Sequence, residues 1–391
     1  MSDLNNPKRS VQVAGLLIVA ILVILVLELG SYVAFRYFVF PRDESAFYIP
    51  PEISRHDYEQ YLHDRHATLG WLPFVDSANE HADSSGSRHI PSFPDPGEEC
   101  GIAFGDSFIY GDEVGHSEAW SNVLSNKLHC RVANYGVSAF GTDQALMRYQ
   151  DMPAGPARFA ILGIYPHNLM RNVNQNRYFL NGRNRFGLKP RFVLENDELK
   201  RIPMPDFSYE ELVDSFEVPR QYYPHEGFVP DTKSGPITPS FPYTVVLLRY
   251  LSSDRVKSFV SGWPSWTAFV RPGHDLGALE LTAAIVAEFS KVADDRKQST
   301  LVVVFPTAKS YQVYLDTGQI AYQPLLDIIS ENDIEVLDLH APFRAHLGNR
   351  PLCDVLTNPE QCVGHFGENG NALVAEFIYK KIADSGLLAV Q

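Results

Sequence analysis

Basic residues are scarce in this chain. Against 47 Asp and Glu it carries 33 Lys and Arg, a net charge of −14. The first 42 residues hold four bases and two acids, so the acidity lies in the remainder. Such a surface argues against nucleic acid as a partner, because phosphate neutralisation needs clustered cations. It also opposes electrostatic adhesion to anionic lipid. No Walker loop, no Gly-x-Gly-x-x-Gly, no Gly-x-Ser-x-Gly and no His-Glu-x-x-His is present, so nucleotide cofactors and metalloprotease chemistry have no sequence support, and no cofactor is expected. Internal repeats and low-complexity tracts are absent too. What is present is a globular amount of apolar residue, 45% of 391 positions, enough for one large domain or two modest ones.

Val11–Leu27 is almost unbroken aliphatic sequence, and with Glu28–Phe35 it makes a span of about 25 residues, enough to cross a bilayer. A cleaved signal peptide is the other reading. The run is longer than a usual signal core, and no small-x-small site precedes Arg36, which favours a retained anchor. Lys8 and Arg9 on one side nearly balance Arg36 and Arg42 on the other, leaving orientation open by charge. The four cysteines fall into two pairs. Cys100 and Cys130 each precede a predicted strand, and Cys353 and Cys362 close a short loop. A pairable set suits an oxidising compartment; four ordinary buried thiols are the alternative. The expectation is a cytoplasmic tail over 1–10, a transmembrane helix over 11–35, and everything else outside.

Residues 36–98, rich in Pro, His, Asp and Ser, read as a stalk wrapping a domain over 99–391. There a strand–helix alternation appears: strands at 101–104, 131–135, 159–165, 299–305 and 335–339, and helices at 118–128, 142–151, 277–294, 321–330 and 369–383. A long insertion at about 166–275 interrupts it, holding a predicted hairpin at 192–202 and a helix at 243–258. Five short apolar strands with intervening helices predict an α/β fold: a three-layer, flavodoxin-like parallel sheet.

The chemistry-bearing residues cluster at the ends of these elements. Gly105-Asp106-Ser107 ends the first strand and Asn134-Tyr135-Gly136-Val137-Ser138 the second. Gly163-Ile164-Tyr165-Pro166-His167-Asn168 ends the third, and Gly364-His365-Phe366-Gly367 precedes the last helix. All four stretches belong at one edge of a parallel sheet, where α/β proteins bind ligands. A serine hydroxyl needs an imidazole to take its proton, and the oxyanion that follows needs fixed donors.

At these blocks the chain resembles the SGNH hydrolases, or GDSL-type esterases, over roughly residues 100–170 and 275–385. The resemblance implies Ser107 as nucleophile, His365 as base, and Gly136 and Asn168 as oxyanion contacts. The context of each block, with Leu69-Gly70-Trp71 and Gly86-Ser87-Arg88 upstream, is similar to membrane-anchored members associated with bacterial surface polysaccharides. Two positions depart from the family. Cys362 stands where an aspartate usually precedes the histidine by three, which leaves Asp354, Glu360, a backbone carbonyl or no group at all to orient the imidazole. His167-Asn168 replaces the usual Asn-Asp; either side chain suits the oxyanion, and Asn168 is preferred as a neutral amide. Asp106 reads as structural.

Other candidates have plainer readings. His63 and His66 lack a third metal ligand. Trp263, Trp266, Tyr222 and Tyr223 suit either a sugar platform or core packing. Arg171, Arg177 and Arg183 are either exposed charge or a seat for an anionic sugar. The expected function is a single-span, extracytoplasmic (periplasmic, inner-membrane) serine esterase or O-acyltransferase acting on acyl, above all acetyl, esters of a cell-surface glycan. The alternative is a non-catalytic glycan-binding or scaffolding subunit beside polysaccharide-assembly proteins.

Overall fold

A computed structural model describes residues 7–73, 82–97 and 99–387. In chain order the elements that matter here begin with helix α1 (Pro7–Ala34) and strand β1 (Glu99–Phe104). Next come α2 (Ser107–Tyr110), α3 (Trp120–Leu128), β2 (Arg131–Asn134), α4 (Thr142–Asp151) and β3 (Phe159–Ile164). The insertion holds α5 (Asn168–Asn172), a hairpin of β4 (Arg191–Glu195) and β5 (Glu198–Ile202), α6 (Tyr243–Ser252) and α7 (Asp254–Ser261). The alternation resumes with α8 (Ala278–Asp295), β6 (Ser299–Val304), α9 (Gln323–Glu331) and β7 (Val336–Asp338). A short ribbon, β8 (Leu356–Asn358) and β9 (Val363–Phe366), leads into the last helix, α10 (Glu368–Ser385).

The main sheet runs β2-β1-β3-β6-β7, every pair parallel. This is the flavodoxin-like order that the alternation predicts. Its strands are apolar throughout because both faces are covered. On β3, Ala160, Leu162 and Ile164 face a core shared with α4 and α8, while Phe159 and Ile161 face one shared with α3 and α10. The same two-residue alternation places Val302 and Val304 on the first face and Leu301 and Val303 on the second. Register pairs Ala103 with Asn134 and Phe104 with Leu162, so the chain leaves β1, β2 and β3 along one rim.

Both expected cysteine pairs are disulfides: Cys100–Cys130, with Cα atoms 5.9 Å apart, and Cys353–Cys362, at 4.6 Å. The first staples β1 to the start of β2, and the second closes the loop ahead of β9.

One reading is corrected. The predicted helix over 243–258 is broken at Ser253, which is extended (φ −66°, ψ 152°) and caps α7 through its hydroxyl. Capping chemistry there outweighs the apolar periodicity. Residues of the segment read as a stalk wrapping the domain pack against it. Phe47, Tyr48, Tyr61 and Leu69 are buried, Tyr48 Oη donates to the Phe216 carbonyl at 2.6 Å, and Gln144 Nε2 donates to that of Leu69 at 2.7 Å. Nor does α1 stand apart from the fold: Phe35, just past its end, is buried against Phe40 and Phe47.

Candidate active site

Asp106 organises the turn that presents Ser107. It is the N-cap of α2, taking the Phe108 N–H on Oδ1 at 3.0 Å. Its Oδ2 accepts from Asn168 Nδ2 at 3.1 Å and from the Arg171 guanidinium at 2.9 Å. Ser107 follows as the first helical residue, largely buried. Its N–H, at a helix start, has no intrahelical acceptor.

Gly136 lies against this turn because nothing larger fits. A Cβ there would stand 2.4 Å from Tyr110 N and 2.8 Å from Ile109 Cγ2. Its N–H donates to Asn134 Oδ1 at 3.0 Å, while Asn134 Nδ2 holds the Ile109 carbonyl at 2.6 Å. The second block therefore braces the first.

Asn168 is committed to structure. Its amide donates to Asp106 and, at 3.0 Å, to the Phe140 carbonyl, and its Oδ1 accepts the Tyr165 N–H at 2.6 Å. Both amide hydrogens of Asn168, the preferred oxyanion contact, therefore have acceptors within the protein. The neighbouring His167 has a buried, uncommitted Nδ1. Burial, with Arg171 and Arg177 nearby, pushes its pKa down to about 3, so the ring is neutral. It stacks on Tyr165 (4.9 Å, 12°), which stacks on Phe108 (4.3 Å, 19°).

His365 lies on β9, its ring 4.9 Å from that of Phe108, the residue after Ser107. Its Nδ1 meets Glu113 Oε1 at 2.9 Å, and its backbone N–H donates to Glu113 Oε2 at 3.2 Å. The Thr357 hydroxyl also donates to Glu113 Oε2. Partial burial works to raise the Glu113 pKa, but the hydrogen bonds from Thr357 and His365 outweigh it and hold the carboxyl below the usual glutamate range, so it is a carboxylate at neutral pH. A carboxylate at Nδ1 fixes the tautomer that leaves Nε2 as the proton acceptor. A Ser107–Nε2 hydrogen bond is not among the contacts of this ring; serine–imidazole bonds in empty sites are commonly long and close on substrate.

Asp354, the expected orienting acid, instead pairs with Arg350 at 3.2 Å. Glu360 is exposed on the same loop. Glu113 escaped the sequence reading because its only signal is position, six residues past Ser107 on the loop leaving α2. It sits at φ +69°, rare for a glutamate. Buried Arg88 pins that loop through the carbonyls of Tyr110 (2.9 Å), Gly111 (2.8 Å) and Val114 (2.7 Å).

A cleft of about 530 Å³ opens beside Glu113, lined by Trp71, Tyr110, Asp112, His116, Val137 and Ser138 among others. Asp112 accepts from Ser138 Oγ at 2.7 Å, and burial raises its pKa. Trp266 and Tyr223 belong to the core, and Arg171 pairs with Asp106. Among the described residues no cluster of metal-ligating side chains forms.

No family model matches the chain, and no curated protein does. Among solved structures it is similar to a protein assigned to the G-D-S-L lipolytic family from Desulfitobacterium hafniense DCB-2, at 13% identity and a TM-score of 0.33, over 72% of this chain and 97% of that one. It is likewise similar to a member of the lipolytic protein G-D-S-L family from Veillonella parvula DSM 2008, at 12% identity and a TM-score of 0.32, over 71% of this chain and 95% of that one.

Proposed function

We propose that the chain is a membrane-anchored serine esterase or O-acyltransferase in which Ser107, His365 and Glu113 act in sequence. The observation that carries this reading is the Glu113–His365 pair, 2.9 Å across, beside the turn that bears Ser107. Ser107 Oγ attacks the ester carbonyl carbon as its proton passes to His365 Nε2. The alcohol leaves with that proton, and the acyl-serine is resolved by water or by a sugar hydroxyl. The Ser107 N–H and the neutral ring of His167 are the donors proposed for the oxyanion. An acetylated glycan outside the cytoplasm is the proposed substrate. Two disulfides support that compartment, and the burial of Phe35 within the domain supports a retained helix over a cleaved leader.

The commitment of Gly136 N–H and Asn168 Nδ2 to internal acceptors favours a second reading, a glycan-binding subunit without turnover. One experiment separates the two. The full chain is treated with a fluorophosphonate alongside Ser107→Ala. Labelling of the wild type alone supports the enzyme, and no labelling of a folded wild type supports the binding subunit.

A further inference from the structure

Helix α6 has two apolar faces, and only one is covered. Val246 is buried and, with Tyr243, Leu247 and Tyr250, packs on Phe35, Phe40 and Phe47 at the domain end of α1. On the other side Val245, Leu248 and Leu251 are 48%, 62% and 59% exposed, and Phe241 just ahead is 75% exposed. At about 100° per residue the three helical positions, 245, 248 and 251, fall within an arc of about 120°, a single stripe. Beyond the break at Ser253, Phe259 and Val260 of α7 are also bare. Exposed apolar area gathered in this way marks an interaction surface.

Hydrogen bonds set the depth of this stripe along α1. Glu28 lies 17 residues past Val11, about 26 Å along the helix, close to the far side of a hydrocarbon layer about 30 Å thick. Its carboxylate accepts the N–H groups of Tyr243 and Thr244, the latter at 3.1 Å, and the Thr244 hydroxyl at 2.7 Å. The Tyr32 and Tyr243 rings meet edge-on at 5.0 Å. The first turn of α6 is thereby held where the span leaves the hydrocarbon, and the exposed Leu29 and Val33 on α1, with Tyr37 and Phe38 just past its end, continue the apolar surface.

We infer that the α6–α7 hairpin is a second membrane contact, with Phe241, Val245, Leu248, Leu251, Phe259 and Val260 seated in the lipid of the interfacial layer beside the anchor. The occupant is bilayer lipid, engaged through apolar area rather than charge. This inference rests on reading α1 as a membrane span.

All four cysteines are disulfide-bonded, so a single introduced cysteine in the full chain carries an environment-sensitive fluorophore cleanly. The positions are Leu248→Cys and Phe259→Cys on the hairpin, Leu22→Cys within α1, and Asp327→Cys on the exposed face of α9. Each protein is placed in phosphatidylcholine vesicles and probed with a lipid-borne nitroxide and with aqueous iodide. Labels at Leu248 and Phe259 are expected to be quenched by the nitroxide and protected from iodide, as at Leu22 and opposite to Asp327. Iodide quenching at Leu248 and Phe259, with Leu22 still quenched from the lipid, overturns the hairpin contact and leaves the anchor intact. Iodide quenching at Leu22 overturns the anchor reading itself and the hairpin contact with it. Shielding of the hairpin from both quenchers overturns the lipid assignment in favour of a protein cover.

Discussion

Glu113 Oε1 stands 2.9 Å from His365 Nδ1, although 252 residues separate the two in sequence. The carboxylate arrives from the loop that leaves Ser107, while Cys362, three residues before His365, is held in a disulfide.

Replacing Glu113 by Gln keeps the shape of the pair but removes its charge and its control of the tautomer. In steady-state assays on p-nitrophenyl acetate, Glu113→Gln is expected to lower kcat by about 10²- to 10⁴-fold with little change in KM. Asp354→Asn, which touches only the Arg350 pair, should leave kcat near wild type.

Gly364→Ala tests the same pair through the backbone. Gly364 has φ +100°, and a Cβ there would lie 2.1 Å from Thr357 Oγ1 and 2.8 Å from Glu113 Oε2. The added methyl displaces the carboxylate from His365. We expect kcat to fall at least about tenfold, since small misplacements of catalytic groups are costly, while circular dichroism stays native.

The Cys353–Cys362 bond closes the loop that leads into β9 and His365. For a loop of this size, chain entropy predicts that Cys353→Ser with Cys362→Ser costs about 2–3 kcal/mol. Denaturant titration measures that loss, and activity should fall more steeply than stability at the same temperature.

Asn168→Ala removes one amide that joins Asp106, the Phe140 carbonyl and the Tyr165 N–H. Arg171 still donates to Asp106 and to the Phe140 carbonyl, so the Tyr165 N–H is the group left unpaired, at an expected cost of about 1–3 kcal/mol. Unchanged stability with lost activity would instead return Asn168 to the oxyanion.

The pH dependence follows from two depressed pKa values. Glu113, held below the glutamate range, keeps its charge as the solution is acidified through that range. Its contribution to stability is therefore present above the unfolded pKa and disappears only as pH falls through the lower folded value. His167, pushed down to about 3, stays neutral across pH 5–8. kcat/KM for His167→Asn should then show the wild-type pH profile over that range at a lower plateau. A limb that moves with this substitution would show that the imidazole titrates there.

The sheet was legible because its strands are covered on both faces and therefore read as short apolar runs such as Phe159–Ile164. Ser107, Gly136 and His365 were legible because each ends or begins an element at one rim. Glu113 was not, since an acid located by a tertiary contact leaves no periodic or spacing signal. The partners of Asn168 were not legible for a related reason. An amide's local sequence does not reveal that Asp106 and Phe140 consume both of its hydrogens. The arm before β1 read as a stalk wrapping the domain, but which residues hold it was not legible, since Tyr48 and Leu69 are scattered apolar anchors whose partners lie more than 70 residues away in sequence.

The packing of that arm limits how far the serine can travel. With Phe35, Phe47 and Tyr48 locked into the body of the protein, there is no slack leash on which the sheet edge could roam through the surrounding space. On the proposed reading of a bilayer-anchored esterase, ester groups must come to the protein, and only substrate passing within one molecule's height of the membrane falls inside its reach.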